Sequence, residues 1–340
     1  MRKLIVILLT LSLALGGLVA FAGCSDTAAE PCDHVYSGRG TQADPYLIAD
    51  EEDFRHIKCE PYNASGVYFR MTADLRFGNA DPFEPVATFR GVLDGAGHSF
   101  SLTYAYANPI MCRVAVFGTL RGATVQNIDF LVNLEGTGVL YTTVAGIALD
   151  VEDGSVISGC TVSGSINAIG GQAYAAGLVG TVTDGRVIGC ASTAEVYAET
   201  TGNVIVNENA ENQGKAAASG LFSVLNGSAE SCYFAGTLEV KQNVSEESYN
   251  PDYVYALVKS GVASKFYQRE NATNEAVLLR CYYLADSAEQ GVSETGEGLT
   301  AQAEARTDAE LRSAAFVQAL NADGNYFIAA EGGYPVPFRG

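Results

Sequence analysis

Through the middle of the chain, apolar and polar residues alternate in short runs that glycines interrupt. Thr161-Val162-Ser163-Gly164-Ser165-Ile166 and Tyr233-Phe234-Ala235-Gly236-Thr237-Leu238 have period two, the pattern of a strand with one buried face. A larger unit recurs around them. A small residue with two apolar ones, a glycine turn and an apolar-x-x-Cys run (Ile128 in place of Cys once) appear in five passes. These begin at Ala115, Gly146, Gly177, Gly220 and Ala256, with starts 31, 31, 43 and 36 residues apart. Two or three short strands cannot bury an apolar face alone, so such units coil and stack. The pattern therefore predicts an all-β fold, a right-handed single-stranded parallel β-helix with rungs about 4.8 Å apart.

Stacking turns each repeat position into a ladder, and Cys160, Cys190, Cys232 and Cys281 fall on one of them, inward and apolar. Cysteine is a small hydrophobe that is commonly buried. Metal binding would want close Cys-x-x-Cys pairs or nearby histidine, and the histidines are His34, His56 and His98 alone, so no metal is assigned. Cys32 and Cys59 lie outside the repeats and are a candidate disulfide. Asp50 with Asp53 opens a short helix to about Lys58 that covers the open N-terminal end of the stack. Thr307 with Glu310 makes a capping box for a second helix, to about Asn321, near the other end. Asp74 and Asp94 read as turn and cap carboxylates, and His98 as a turn residue.

The two longer gaps carry extra material. Residues 199–215 and 241–275 read as loops on a rigid scaffold, where solenoids carry binding. Asn207 and Asn209 in the first, and Tyr249, Tyr253, Tyr255 and Tyr267 in the second, are the candidate ligand-binding residues, the tyrosines by stacking on sugar rings or a protein partner.

Arg2 and Lys3, followed by an apolar run from Leu4 to Ala22, have the shape of a secretory signal peptide, and a polar spacer begins at Ser25. Phe21-Ala22-Gly23-Cys24 resembles the bacterial lipobox, which implies a diacylglycerol on Cys24 and a lipid-anchored, exported chain. The divisions are 1–23 signal peptide, 24–35 polar tether, 36–110 N-terminal cap and first coils, 111–290 repeat β-helix, and 291–340 C-terminal helix and closing strand. Seven cysteines remain beyond Cys24, an odd number that cannot all pair.

Composition narrows the function. With 48% apolar and 17% charged residues the chain is globular, and a net charge of −19 argues against nucleic acid as a partner. A uronate lyase needs cations to neutralise its substrate, and lysine is scarce here. A hydrolase needs converging carboxylates. Asp150, Glu152 and Asp153 are candidates in composition only, because they sit at a glycine turn where solvated carboxylates are expected. No phosphate loop, dinucleotide fingerprint or His-Glu-x-x-His motif occurs. The chain is read as non-catalytic, without a cofactor, and the acidic loops give no indication of Ca²⁺.

Several segments together resemble a known family. They are Gly38 to Ile48 (Gly-Arg-Gly-Thr-Gln-Ala-Asp-Pro-Tyr-Leu-Ile), Asp50 to Phe54, Tyr68 to Leu75, Phe89 to Phe100, and Gly177-Leu178-Val179-Gly180. Thr307 to Leu311, Phe316, Leu320-Asn321 and Gly333 to Val336 complete the set. The combination is similar to GLUG-repeat β-helix proteins of bacterial surfaces, which include adhesin-like lipoproteins and the non-catalytic repeats attached to some immunoglobulin A proteases. The resemblance implies surface binding or adhesion to host or neighbouring-cell glycans or proteins, on the extracellular side of a bacterial membrane. A carbohydrate-active β-helix enzyme or a structural spacer of the envelope is the alternative. Gly146-Ile147-Ala148-Leu149, Gly220-Leu221-Phe222-Ser223 and Ala256-Leu257-Val258-Lys259 depart from the motif by lacking its last glycine.

Overall fold

Alternating residues of each repeat point into one shared interior, and the backbone between them pairs with the coil before and the coil after. The structure is a computed structural model that describes residues 32–78, 83–202, 214–244, 256–270 and 275–339. A coil visits four faces in turn. The first face stacks Val86–Phe89, Phe117–Arg121, Ala148–Glu152, the start of Val179–Ile188, the start of Phe222–Glu230, Ala263–Phe266 and Val292–Thr295. The second runs from Tyr46–Ile48 through Tyr68–Met71, Val92–Asp94, Thr124–Gln126 and Val156–Ser158. Long strands such as Ser99–Asn108, Asp129–Gly138 and Thr161–Gly170 build the third. Met111–Val114, Tyr141–Ala145, Gln172–Ala176, Lys215–Ser219 and Ala256–Ser260 build the fourth. All of this pairing is parallel, so the fold is a parallel β-helix.

Stacking works because large and small side chains alternate along each ladder. On the first face Val86, Phe117, Ala148, Val179, Phe222 and Ala263 share one register position, and all are buried. Close packing of this kind leaves no room for Phe on every rung. Between the second and third faces the chain turns through a left-handed residue on five successive coils: Asn127, Gly159, Gly189, Ser231 and Arg280, with φ of 58°, 59°, 60°, 51° and 48°. Ile128, Cys160, Cys190, Cys232 and Cys281 follow these residues directly and are fully buried. The four cysteines occupy successive rungs of one ladder. Each thiol points at the carbonyl two residues earlier, at 3.4, 3.4, 3.2 and 3.5 Å, and at a carbonyl of the preceding coil. Burial pushes the Cys190 and Cys281 thiols well above the ordinary thiol range, which keeps them protonated and unreactive.

The fifth pass differs from its sequence reading. Ala256-Leu257-Val258 pairs with Lys215-Ala216-Ala217 on the fourth face, and the segment aligned with Gly220-Leu221-Phe222 is Gly261-Val262-Ala263. Both triplets are small-apolar-apolar, and only the register separates them. Consequently 241–275 is not one loop: it contains the strands Ala256–Ser260 and Ala263–Phe266.

At the N-terminal end helix α1 (Glu51–His56) is capped by Asp50, whose carboxylate accepts from the Asp53 amide at 2.9 Å. Its one buried residue, Phe54, closes the core against Phe77, Phe83, Phe100 and Phe117 at centroid distances of 5.6, 6.5, 4.8 and 6.2 Å. The C-terminal region does something else. The capping box forms at Thr307 and Glu310, but Ser313 starts a new helix, so the single expected helix is two: α2 (Asp308–Leu311) and α3 (Ala314–Leu320). They lie along the side of the stack, not over its end. Leu311, Phe316, Leu320 and Phe327 pack on Ala191, Tyr233 and Tyr282, outward residues of three successive third-face strands. The closing strand Val336–Pro337 pairs antiparallel with Phe327–Ile328 and not with the solenoid. Arg339 ends this strap with two bonds to Asp129, at 2.5 and 2.8 Å, across 210 residues of sequence. The open end is covered by the last coil itself, where Val292, Leu299, Ala301 and Ala303 pack on the core while partly exposed.

Two outcomes follow for stability. A Cβ on Gly177 would lie 1.9 Å from the Gly220 carbonyl oxygen of the next coil, whereas one on Gly78 meets nothing. In urea denaturation, Gly177→Ala lowers the unfolding free energy by about 3 kcal/mol or more, and Gly78→Ala stays within about 0.5 kcal/mol of the parent. The Arg339 guanidinium and the Thr161 hydroxyl outweigh burial and hold the Asp129 carboxyl below its usual range. A carboxylate with a lowered folded value stabilises above its unfolded value and loses that contribution as pH falls through the folded one. The difference between the parent and Arg339→Ala, about 1 kcal/mol at neutral pH, therefore shrinks on acidification below the carboxylate range.

Candidate functional site

Between the fourth face and the first face of the next coil the chain bends inward, forming a concave elbow that runs along the stack. Small residues make this possible. Ala145, Ala176, Ser219 and Ser260 point away from the core at the end of each fourth-face strand, and all four are completely buried because the first face folds over them. The motif's last glycine faces the same elbow: a Cβ on Gly180 would sit 2.6 Å from the Leu149 carbonyl oxygen. Leu149, Ser223 and Ser264 replace it on other coils, and Leu149 packs with Ala115, Ala145 and Ala176 as an apolar cluster of its own. Two of the departures named from sequence, Leu149 and Ser223, thus shape the elbow, while on the next coil the position belongs to Ser264 and not to Lys259.

Where the elbow opens there is a groove of about 400 Å³. Tyr141, Gln172 and Lys215 contribute from the start of three successive fourth-face strands, with Arg113, Thr143 and Tyr174 two residues further in on their own strands. Opposite them stand Thr181, Val224, Lys265 and Glu294, one register line of the first face. Ion pairs cross the elbow at both ends: Arg113 to Asp150 at 2.5 Å, and Lys215 to Glu294 at 3.8 Å, with Lys265 also 3.5 Å from Glu294. Between them the rings of Tyr141 and Tyr174 lie 5.2 Å apart at 35°, and the Lys215 ammonium sits 5.6 Å from the Tyr174 ring. Burial, then Tyr141 and Glu294, push the Tyr174 phenol up to about 12, so it is a neutral donor at physiological pH. The Ser223 hydroxyl lines the groove, is buried and has no hydrogen-bond partner among the described residues.

The residues named from sequence divide into three groups. Cys24, Asn207, Asn209, Tyr249, Tyr253 and Tyr255 lie outside the described residues. The described chain stops at Gly202 and Val244 and resumes at Gly214 and Ala256. Lys215, which follows Gly214, is itself a groove residue. Tyr267 is described: it stacks under Lys265 at 5.4 Å, next to the groove and not among its lining residues.

The remaining polar residues have structural partners. Asp74 accepts from the Ser99 amide at 2.8 Å and Asp94 from the Ala96 amide at 2.9 Å. His98 Nδ1 is 3.3 Å from Asp74. Asp150 pairs with Arg113, and Glu152 and Asp153 with Arg121 at 3.0 and 3.6 Å. No disulfide joins Cys32 and Cys59; their sulfurs instead flank a nitrogen of His56, and the three ligand atoms lie within 4.8 Å of one another.

Sequence reasoning overlooked Tyr141, Tyr174, Arg113, Lys215, Lys265 and Glu294. A signal existed: Tyr141, Gln172 and Lys215 each stand five residues before a repeat glycine, at Gly146, Gly177 and Gly220.

Coils, elbow and strap define the chain as a parallel β-helix, and comparison with known proteins agrees on that. No family model matches it. Halomucin from Haloquadratum walsbyi is 29% identical over 176 residues, which is 48% of this chain, and the chain spans 2% of halomucin's length. A crystal structure of a Bacteroides ovatus protein described as a "putative immunoglobulin A1 protease" superposes with a TM-score of 0.51. It covers 89% of this chain and 95% of that one at 17% identity, a likeness of fold.

An unpartnered buried hydroxyl costs stability. Ser223→Ala is therefore expected to leave the unfolding free energy unchanged or raise it by about 1 kcal/mol, read by urea denaturation, whereas a loss would mean that the hydroxyl is engaged within the fold.

Proposed function

We propose that this chain is an exported surface protein, tethered through a diacylglycerol on Cys24, that binds glycans in the elbow groove. The repeat passes are read as GLUG-type, and the role as adhesion to host or neighbouring-cell surfaces. The observation that carries the reading is the groove lining: a tyrosine pair, a buried hydroxyl without a partner and fixed cations and carboxylates on opposite walls. Sugars bind where an aromatic face covers C–H groups while fixed polar groups take up the hydroxyls. Asn207, Asn209, Tyr249, Tyr253 and Tyr255 remain the further contact residues in this reading. Similarity to halomucin fits an outward-facing role, while the neighbour described as a "putative immunoglobulin A1 protease" shares the fold alone.

Binding is favoured over hydrolysis by the geometry of the carboxylates. Asp150 is engaged by Arg113, and Glu294 by Lys215 and Lys265. A glycosidase instead needs two carboxyl groups converging on one glycosidic bond.

Two measurements check the proposal. Residues 25–340, applied to a broad glycan array, are expected to bind one class saturably, and Tyr174→Ala to weaken that binding about tenfold or more, the loss of one stacking contact of about 1.5 kcal/mol. Binding unaffected by Tyr174→Ala, or turnover of the glycan in place of binding, would refute the reading. Separately, Cys24→Ser is expected to move the chain from the membrane fraction to the soluble one, and continued membrane retention would refute a lipid anchor at Cys24.

A further inference from the structure

We propose that Cys32, His56 and Cys59 form a binding site for a thiophilic divalent cation, Zn²⁺ by its ligand set, which clasps the chain's entry onto the N-terminal cap. The residues come from three places. Cys32 precedes the first strand, His56 is the last residue of α1, and Cys59 follows in the turn where its amide donates to the His56 carbonyl at 3.0 Å. Their two sulfurs and one ring nitrogen lie within 4.8 Å of one another. His56 Nδ1 and Cys59 Sγ are 3.6 Å apart. That equals the edge of a tetrahedral site of about 3.6 Å, which follows from Zn–S and Zn–N bonds of about 2.3 and 2.05 Å.

The imidazole is already oriented for this role. Its Nε2 is 3.0 Å from Glu52 Oε1, and an ionised carboxylate only accepts, so Nε2 carries the proton and Nδ1 keeps its lone pair on the side of Cys59. A carboxylate behind a histidine is the usual second support of a metal-bound ring. His34 fixes the ring's other side: the two imidazoles stack at 4.4 Å and 7°, and His34 Nε2 is held by Asp53 at 3.0 Å. Glu52 and Asp53 also place negative charge beside the cation. Cys59 is buried while Cys32 and His56 are half-buried, which leaves the fourth tetrahedral position to water. A disulfide between the cysteines would use both sulfurs and leave the oriented Nδ1 without a task. On binding, each thiol loses its proton to solvent, and the cation takes two thiolates and one neutral imidazole. The site is independent of the elbow groove, so failure of either assignment leaves the other standing.

The test is a Co²⁺ titration of the full chain, reduced and handled without oxygen, followed by displacement with Zn²⁺. About one equivalent of Co²⁺ is expected to produce thiolate-to-cobalt charge-transfer absorption that Zn²⁺ abolishes. Cys32→Ser and Cys59→Ser are expected to remove it. Glu52→Gln, on the exposed side of α1, should keep the parent circular dichroism spectrum and bind about 10- to 100-fold more weakly. Absence of the absorption in the reduced chain, its persistence in both cysteine variants, or parent affinity in Glu52→Gln would overturn the proposal. So would recovery of a Cys32–Cys59 disulfide peptide from chain isolated in the presence of Zn²⁺.

Discussion

The structure depends on backbone meeting backbone at the elbow. Four of the five fourth-face strands end in a small residue, the chain bends inward, and the first face of the next coil begins in contact with its neighbours. Main-chain bonds hold this bend from coil to coil: the Gly177 amide donates to the Ser219 carbonyl and the Gly220 amide to the Ser260 carbonyl, at 3.0 and 2.9 Å. A side chain at Gly177 or Gly220 would push adjacent coils apart, since the next carbonyl lies 1.9 and 2.1 Å from where a Cβ would stand. Loss of one contact is then loss of register, and in a solenoid register determines which residues face inward. The same bend shapes the elbow groove, so one constraint governs both the packing and the surface proposed for binding.

Charge is arranged along the stack in the same way. The chain carries −19 overall, yet several of its arginines lie against acids of a neighbouring coil: Arg121 on Glu152, Arg113 on Asp150, Arg186 and Arg280 on Glu230. Parallel stacking puts like residues one above another, and uninterrupted acids would repel along the ladder. Interleaved arginines relieve this, and at the elbow the same device fixes the groove ends. The strap applies it over a longer span, with Arg280 joined to Asp323 and Arg339 to Asp129. Together with Tyr233 and its bond to the Pro335 carbonyl at 2.5 Å, these contacts tie the C-terminus across several coils. A stack with only nearest-neighbour contacts gains from a segment that spans its coils.

What the sequence reveals here follows from periodicity. The passes at Ala115, Gly146, Gly177 and Gly220 align in the structure, and the cysteine ladder is legible because one small apolar residue returns at one place in each coil. Ala256-Leu257-Val258 was misplaced because composition matched the motif and only pairing with Lys215-Ala216-Ala217 could say otherwise. The strap was not legible as a strap: a capping box announces a helix but not the surface on which it lies, and Arg339 meets a carboxylate 210 residues away. The groove escaped notice for a related reason. Tyr141, Tyr174 and Lys215 have the outward alternation of any solvated strand face, and only the inward bend after Ala145, Ala176 and Ser219 turns that face into a wall. Cys32, His56 and Cys59 resemble no metal spacing, since 23 residues, most of α1 among them, lie between the first two.

If the proposed glycan binding is right, the elbow, and not the strap or the N-terminal cap, is the surface that meets the ligand. Amide hydrogen exchange of the chain with and without a saturating bound glycan distinguishes these surfaces. Slower exchange is predicted in Tyr141–Ala145, Gln172–Ala176, Lys215–Ser219 and the facing strand Ala263–Phe266, with Phe327–Ile328 and α1 unchanged. Protection confined to the strap or the cap, with those four strands unaltered, would contradict it.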